Sequence, residues 1–398
     1  MNCCAEGRAV AIFETLGGFD RQYIGERANS DSRALAALAT IKSNLNHSVG
    51  PGGTGYGIGS GTSGPILYGS SPVSGRCDKA SDRSNVKLTP NEQLAMHWEE
   101  IIMRALNTLT ELLPSPYAES AQVFDLLPHG SIGPLLSLSK LPDLLGSLLR
   151  NDSVTDWIAR GKTYYAMLSL LRRMADCELT VQVLIGQRWE MAQSPGLESW
   201  MWGEGDIVWA KGKDNAVESS PPLHEHFRKL TRQCEAFLVG ASQIMETDGD
   251  TNEEVEETMM QTASLCGDII AAKGDMERVM SVLGIIPSLD VGISDTSNNN
   301  KGKGKNKDFS VELEKAYSVA CEKLAFKHVM LGVDTGQRLD YVNYNFAATL
   351  QQTQDRIRNT KDRLHLIKEL AVMATSLPPG VWVRVDEIRN DAMYVDNV

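Results

Sequence analysis

The stretch from Arg363 to Val398 constrains this chain more than any other. Leu366, Leu370, Met373 and Leu377 recur at steps of four and three, the spacing of one buried helix face. Leu364, Ile367, Ala371 and Ala374 widen that face, so the helix must pack on something large. Pro378 and Pro379 stop it, because a pyrrolidine ring disfavours helix before it and has no backbone N–H to donate. Gly380 lets the chain turn. Val381, Val383 and Val385 then alternate with Trp382 and Arg384, which is strand spacing. Asp386 and Glu387 lead toward a second short apolar run, Ala392 to Val395. A two-stranded hairpin is marginal by itself. Val381, Trp382 and Val383 are therefore expected to be partly exposed at an open, weakly held edge.

Upstream, helical periodicity dominates. Thr89 can cap, Pro90 suits the first helical position and Glu92 completes a capping box. Leu94, Trp98, Ile101, Ile102, Ala105, Leu109 and Leu112 stay in phase up to Pro114. Further helices are predicted near 119–127, 132–149, 153–176 and 178–186, with Pro142 kinking or splitting the second. Two more are predicted at 223–246 and 252–283. Successive helices with short breaks point to an irregular helical bundle or an armadillo-like stack, a mainly α fold. No strict sequence period marks a repeat.

Between these runs lie segments of other character. Residues 1–88 show weak periodicity, apart from Leu35, Leu38, Ile41 and Leu45, which could form one short helix. Gly50 to Gly64 carries eight glycines in fifteen residues and reads as a flexible linker. Gly59 to Gly64 has the letters of a dinucleotide fingerprint, but no strand leads in, Pro65 follows, and no helix start waits for a phosphate. Residues 187–222 hold Trp189, Trp200, Trp202 and Trp209 among glycine, proline and charge. They read either as tryptophans pinning a long loop onto the bundle or as a partner-binding loop anchored by Trp200 and Trp202. Ser288 to Asp308, with its run of asparagine, glycine and lysine, cannot bury enough surface to order itself. Beyond it, Val311 to Phe326 suggests a helix and Tyr341 to Phe346 alternates as a strand would.

No catalytic centre emerges from the residue pattern. The seven cysteines are scattered and show no CxxC spacing, which argues against a zinc module or a disulfide framework. His224 and His226 flank Glu225 two positions apart, so on a helix they point to different faces. Asp248 to Asn252 looks like the start of a calcium loop, but Glu253 and Met259 stand where glycine and glutamate are needed. No metal, cofactor or catalytic residue is assigned. The net charge of −12 argues against a nucleic-acid surface. No apolar run reaches membrane-spanning length, and the opening residues lack the pattern of a secretory signal. A reducing compartment is expected, the cytoplasm or the nucleus.

Helix, Pro378-Pro379-Gly380 and a valine strand together resemble the opening of the ubiquitin-conjugating (E2) fold. Arg363, Ile367 to Leu370, and Val385-Asp386-Glu387 carry that likeness. Four places extend it: Gly53 to Ser60; Leu148 to Val154 followed by Tyr165, Leu168 and Cys177; Glu314 to Tyr317 with Leu324 to Phe326 and Val342 to Tyr344; and Ala371 to Val395. In order and spacing they are similar to the region leading into the E2 domain of the giant BIR-repeat-containing ubiquitin-conjugating enzymes.

The resemblance implies an incomplete α+β E2 start at 354–398, following helix and strand at 309–353. A linker precedes them at 288–308. Before it come a helical pair at 223–287, the tryptophan loop at 187–222, a helical region at 89–186 and a largely disordered 1–88. The thioester-forming cysteine and the assisting asparagine of that family lie downstream of Val398, so neither is carried onto this chain, which reads as truncated and without ubiquitin-transfer activity of its own. What the resemblance does imply is weak contact with activating enzymes or ligases through Arg363, Lys368 and Glu369 of the first helix. The alternative is a helical protein–protein interaction module unrelated to ubiquitin transfer.

Overall fold

The computed structural model describes residues 4–45, 90–212, 215–247, 253–284, 306–332, 344–346, 348, 350, 360–387 and 389–397. The fold is mainly helical, as the apolar spacing predicts. Its helices enclose one core, and a small sheet is added near the C-terminus.

The chain opens with α1, Ala5–Leu45, followed by α2, Pro90–Leu112. The long first helix corrects the expectation of a largely disordered 1–88 over residues 5–45; residues 46–88 lie outside the described residues. Ala9, Ile12, Leu16, Phe19 and Tyr23 are all buried and recur at steps of three and four. That stripe was present in the sequence, diluted by Gly17 and Gly18 in mid-helix, where glycine is unfavourable by about 1 kcal/mol. The stripe that the spacing singled out, Leu35 and Leu38, is exposed instead. Phe19, Tyr23 and Trp98 form an aromatic cluster with ring centroids 5.7 to 6.5 Å apart, locking α1 to α2. The glycine tract at 50–64 and the acidic turn at 248–252 lie outside the described residues.

Short helices follow: α3 Val123–Leu126, α4 Ile132–Leu138, α5 Leu141–Leu149, α6 Val154–Ala159, α7 Gly161–Ala175 and α8 Glu178–Ile185. The helix expected over 132–149 is split at Ser139 and Lys140, not kinked in mid-course. Pro142 sits in the first turn of α5, where its missing N–H leaves no bond unmade. The helix expected over 153–176 breaks at Arg160, a buried side chain that pairs with Glu99 of α2 and with Asp156 at 3.4 Å. Asp20 of α1 is completely buried and accepts from the backbone N–H of Lys140 (2.7 Å) and of Leu197 (3.0 Å). One carboxylate thus serves the N-terminal ends of two helices, α5 and the short α9, Leu197–Met201.

The tryptophan loop is more structured than expected. It holds two antiparallel ribbons, β1 Arg188–Trp189 with β4 Ser219–Ser220, and β2 Met191–Gln193 with β3 Val208–Trp209, around α9. Long helices α10, Leu223–Thr247, and α11, Glu253–Val282, complete the helical body. Leu223, Phe227, Leu230, Cys234, Phe237 and Ala241 line the buried face of α10.

The last part contains α12 Asn306–Ala325, β5 Phe326–Val329, α13 Thr360–Ser376, β6 Val381–Asp386 and β7 Met393–Asn397. α12 begins inside the tract that was expected to end as linker at 308. Of the strand expected at 341–346, residues 341–343 lie outside the described residues and 345–346 form a turn. A strand that the spacing does not mark lies earlier, at β5. It pairs parallel with β6, Phe326 opposite Val383 and His328 opposite Val385. β7 pairs antiparallel on the other side, Val383 opposite Val395. The expected hairpin is therefore a three-stranded sheet with β6 at its centre. Val383 and Val385 are buried, correcting the expected exposure of Val383; Val381 and Trp382 are half-buried.

Candidate functional site

Two cores meet at α13. Leu364, Ile367 and Ala371 belong to the core of the helical body. Leu370 packs with Val383 and Val385 in a second core, to which Phe326, Leu366, Met373, Leu377 and Val381 add partly buried surface. The wide apolar face read from the sequence is thus two adjoining faces with two different partners.

Close contact secures the first of them. A Cβ added at Gly240 of α10 would lie 2.9 Å from both Cγ1 and Cγ2 of Ile367. No real Cβ tolerates that distance, so the two backbones approach here because position 240 has no side chain. Nearby, the buried Gln233 amide donates to Asp152 Oδ1 (2.8 Å) and Thr375 Oγ1 (2.7 Å), joining α10, the turn before α6 and the end of α13. On the sheet's far side, Arg384 donates to the backbone carbonyl of Leu324 (2.9 Å), fastening β6 to the end of α12. Asp386 accepts from the N–H groups of Leu331 (2.9 Å) and Arg389 (2.7 Å), fixing the exit of β6.

The residues singled out by sequence occupy two separate places. Arg363 is half-buried on α13. Lys368 is half-buried too, with Nζ 3.5 Å from Thr155 Oγ1, and burial lowers its pKa. Glu369 projects outward, 3.9 Å from His365 one turn earlier. Trp200 packs against the helical core, whereas Trp202 is 71% exposed. α9 packs on α1 and α13 packs on α10 and β5, so the tryptophans and the charges do not form one site.

The Leu148 to Val154 segment proves to be a fold corner. The Asn151 side-chain amide donates to Tyr164 Oη (3.1 Å) and to Asp156, and the Asn151 backbone carbonyl accepts from Trp157 Nε1 (2.8 Å). Tyr164 Oη in turn donates to the Leu148 carbonyl (3.2 Å). These bonds satisfy buried polar atoms beside the fully buried Trp157, a structural use that leaves no group free for chemistry.

Thiol chemistry finds little support among the described cysteines. Cys177, Cys234 and Cys266 are buried, Cys321 is half-buried and Cys4 is exposed. Burial, with the neighbouring Cys266 thiol, pushes Cys234 up, away from thiolate. No cluster of three potential metal ligands exists among the described residues. His224 and His226 do face different surroundings. His224 lies 3.7 Å from Glu277, and His226 lies in the field of Arg150, Arg188 and Lys229.

The seam also carries a cleft that sequence reasoning missed. It has a volume of ≈ 690 Å³ and opens between α10, the end of α11, the end of α12 and β5. His224, Arg228 and Arg232 line it from α10 at four-residue steps. That spacing is a legible helix stripe, but nothing in one helix tells which elements will face it.

No protein-family profile matches the chain. Among curated proteins it is similar to the dual E2 ubiquitin-conjugating enzyme/E3 ubiquitin-protein ligase BIRC6 of Homo sapiens, at 26% identity over 267 residues. The aligned part is 66% of this chain and 5% of that very long protein. No helix among the described residues is long and apolar enough to cross a membrane.

Proposed function

We propose that this chain acts in the ubiquitin pathway as a non-catalytic platform: a helical body that seats the first helix and strands of an E2-like unit and presents them to pathway proteins. The observation that carries the reading is the double engagement of α13. One face carries Leu370 onto the sheet at Val383 and Val385, as a helix leading into an E2-like sheet must. The adjoining face, through Ile367, is fixed to α10. The similarity to BIRC6 supports the same reading. Its place of work is a reducing compartment, the cytoplasm first.

Conjugation needs an accessible thiolate in a tuned setting. Residues 363–398 contain no cysteine, and the described cysteines of the body are mostly buried. The role left to α13 is recognition, through Glu369 and the accessible parts of Arg363 and Lys368. Trp202 serves as an aromatic anchor for a second partner contact, with Trp200 holding its helix to the body.

The test combines two measurements. The chain is incubated with ubiquitin-activating enzyme, ATP and ubiquitin and run on a non-reducing gel; no thiol-sensitive adduct is expected. In parallel, immobilised chain is probed with activating enzyme and with ligases, and binding is expected to weaken in Glu369→Lys. A ubiquitin adduct that vanishes on replacing one cysteine overturns the non-catalytic role. Absence of any binding that depends on Glu369 or Trp202 overturns the recognition role.

A further inference from the structure

We infer that the cleft between α10, α11, α12 and β5 is a binding site for a phosphoryl group. Five cationic residues line it: Arg228 and Arg232 from α10, Lys273 from α11, Lys323 from the end of α12 and Lys327 from β5. Three carboxylates share the walls, Glu235, Glu277 and Glu322. The cleft therefore carries a surplus of positive charge in a chain whose net charge is −12. A positive concavity in an acidic molecule concentrates anions locally, since field lines focus between low-dielectric walls.

The charges inside the cleft are only partly matched. Lys273 pairs with Glu277 at 2.9 Å, and Arg232 with Glu322 at 2.6 Å. Arg228 and Lys327 make no ion pair among the described residues. They come from different elements, one from a helix of the body and one from the sheet, so an anion held by both joins the two parts of the molecule.

A second observation points inward. His224 is 5% exposed, lines the cleft, and its Nε2 has no hydrogen-bond partner. Its nearest carboxylate, Glu277, stands 3.7 Å away, too far for a hydrogen bond. His328 of β5 also lines the cleft with an unpartnered, buried Nε2. Buried polar atoms are normally satisfied, so two such nitrogens in one cleft mark places where a ligand oxygen belongs. A terminal phosphoryl group offers three acceptor oxygens and nearly two negative charges. It can take a forked pair of bonds from Arg228, a point charge from Lys327 and an N–H from His224. A single carboxylate has acceptor sites enough for these bonds, but it brings only one negative charge against the two cations Arg228 and Lys327.

The chemistry fits either a small free polyphosphate or a phosphorylated side chain of a partner, and the probes separate them. The full chain is titrated calorimetrically at low salt with inorganic pyrophosphate, with a short peptide carrying one phosphoserine, and with the same peptide unphosphorylated. Binding of at least one phosphorylated probe and none of the plain peptide is expected. Response to pyrophosphate alone identifies a free polyphosphate as the source; response to the phosphopeptide identifies a protein segment.

Arg228→Ala or Lys327→Ala should weaken binding about tenfold, as loss of one charge-assisted contact implies. Glu322→Gln removes a competing carboxylate and releases Arg232, so it should tighten binding several-fold, an effect that damage to the fold cannot mimic. Arg33→Ala, on α1 and paired there with Glu26, should leave binding unchanged. The inference is overturned if neither phosphorylated probe binds at millimolar concentration, if binding survives Arg228→Ala intact, or if Glu322→Gln fails to tighten it. These measurements read phosphate binding and not the contacts of Glu369 or Trp202 with pathway proteins, so this site and the ubiquitin-pathway role stand or fall separately.

Discussion

Gly240→Ala is the sharpest probe of the seam between the helical body and α13. In an ordinary helix interior the substitution stabilises by about 1 kcal/mol, because alanine loses less backbone freedom than glycine. At this position the new methyl would sit 2.9 Å from Cγ1 and Cγ2 of Ile367 and 3.3 Å from its Cδ1. Overpacking of that kind costs about 1–3 kcal/mol, since branched carbons cannot swing away without moving α13. The net expectation is a loss of about 0–2 kcal/mol. Ile367→Ala removes all three clashing atoms from a side chain that is 1% exposed, at a cost of about 2–5 kcal/mol. In that background a methyl at position 240 has room, so Gly240→Ala should change sign and stabilise by about 1 kcal/mol. The cycle thus carries a coupling of about 1–3 kcal/mol, within the range for residues in direct contact. Urea unfolding of the four proteins, followed by far-UV circular dichroism and tryptophan fluorescence, measures it. If Gly240→Ala shifts stability by the same amount in both backgrounds, α13 does not rest on α10 at this point and the platform reading loses its foundation.

Three further outcomes are expected. Asp20→Ala strands the buried N–H groups of Lys140 and Leu197 and should cost about 2–5 kcal/mol in urea unfolding; a loss under about 1 kcal/mol would show that water replaces the carboxylate. His226 is held down to about 4, first by burial and then by Arg150, Arg188 and Lys229. From its ordinary value near 6.5 downward, the unfolded chain binds a proton that the folded chain refuses, so stability present above pH 6.5 is lost as pH falls toward 4. With allowance for solvent screening the loss is about 1–2 kcal/mol. Asp20, pushed up to about 6 mainly by burial, acts in the opposite sense between its unfolded value and about 6, but it is common to wild type and His226→Gln and cancels in their difference. Equal pH slopes for the two proteins between about 6.5 and 4 would refute the His226 account. Backbone amides of β6 should exchange slowly in native-state hydrogen exchange, because β5 and β7 flank this strand on both sides; exchange within seconds across 382–385 would mean the sheet is not held.

The sequence alone determined most of the helices and the C-terminal pattern of helix, proline stop and valine strand. Those rest on local signals, a 3.6 or 2.0 period and the backbone chemistry of Pro378, Pro379 and Gly380, which need no partner to be read. It also determined that His224 and His226 could not act together, since two positions on a helix diverge. Tertiary structure decided what each face meets. The stripe from Ala9 to Tyr23 is regular, but only contact with Trp98 and the burial of Asp20 turn it into core. β5 reads as the tail of a helix because four residues cannot establish a period; pairing with a strand more than fifty residues later makes it a strand. The single wide face of α13 became two because two cores happen to meet there. Arg228 and Lys327 face one cleft for the same reason. Which charges converge depends on how α10, α11, α12 and β5 pack, and that packing is set by the non-local burial of apolar faces, which no local period encodes.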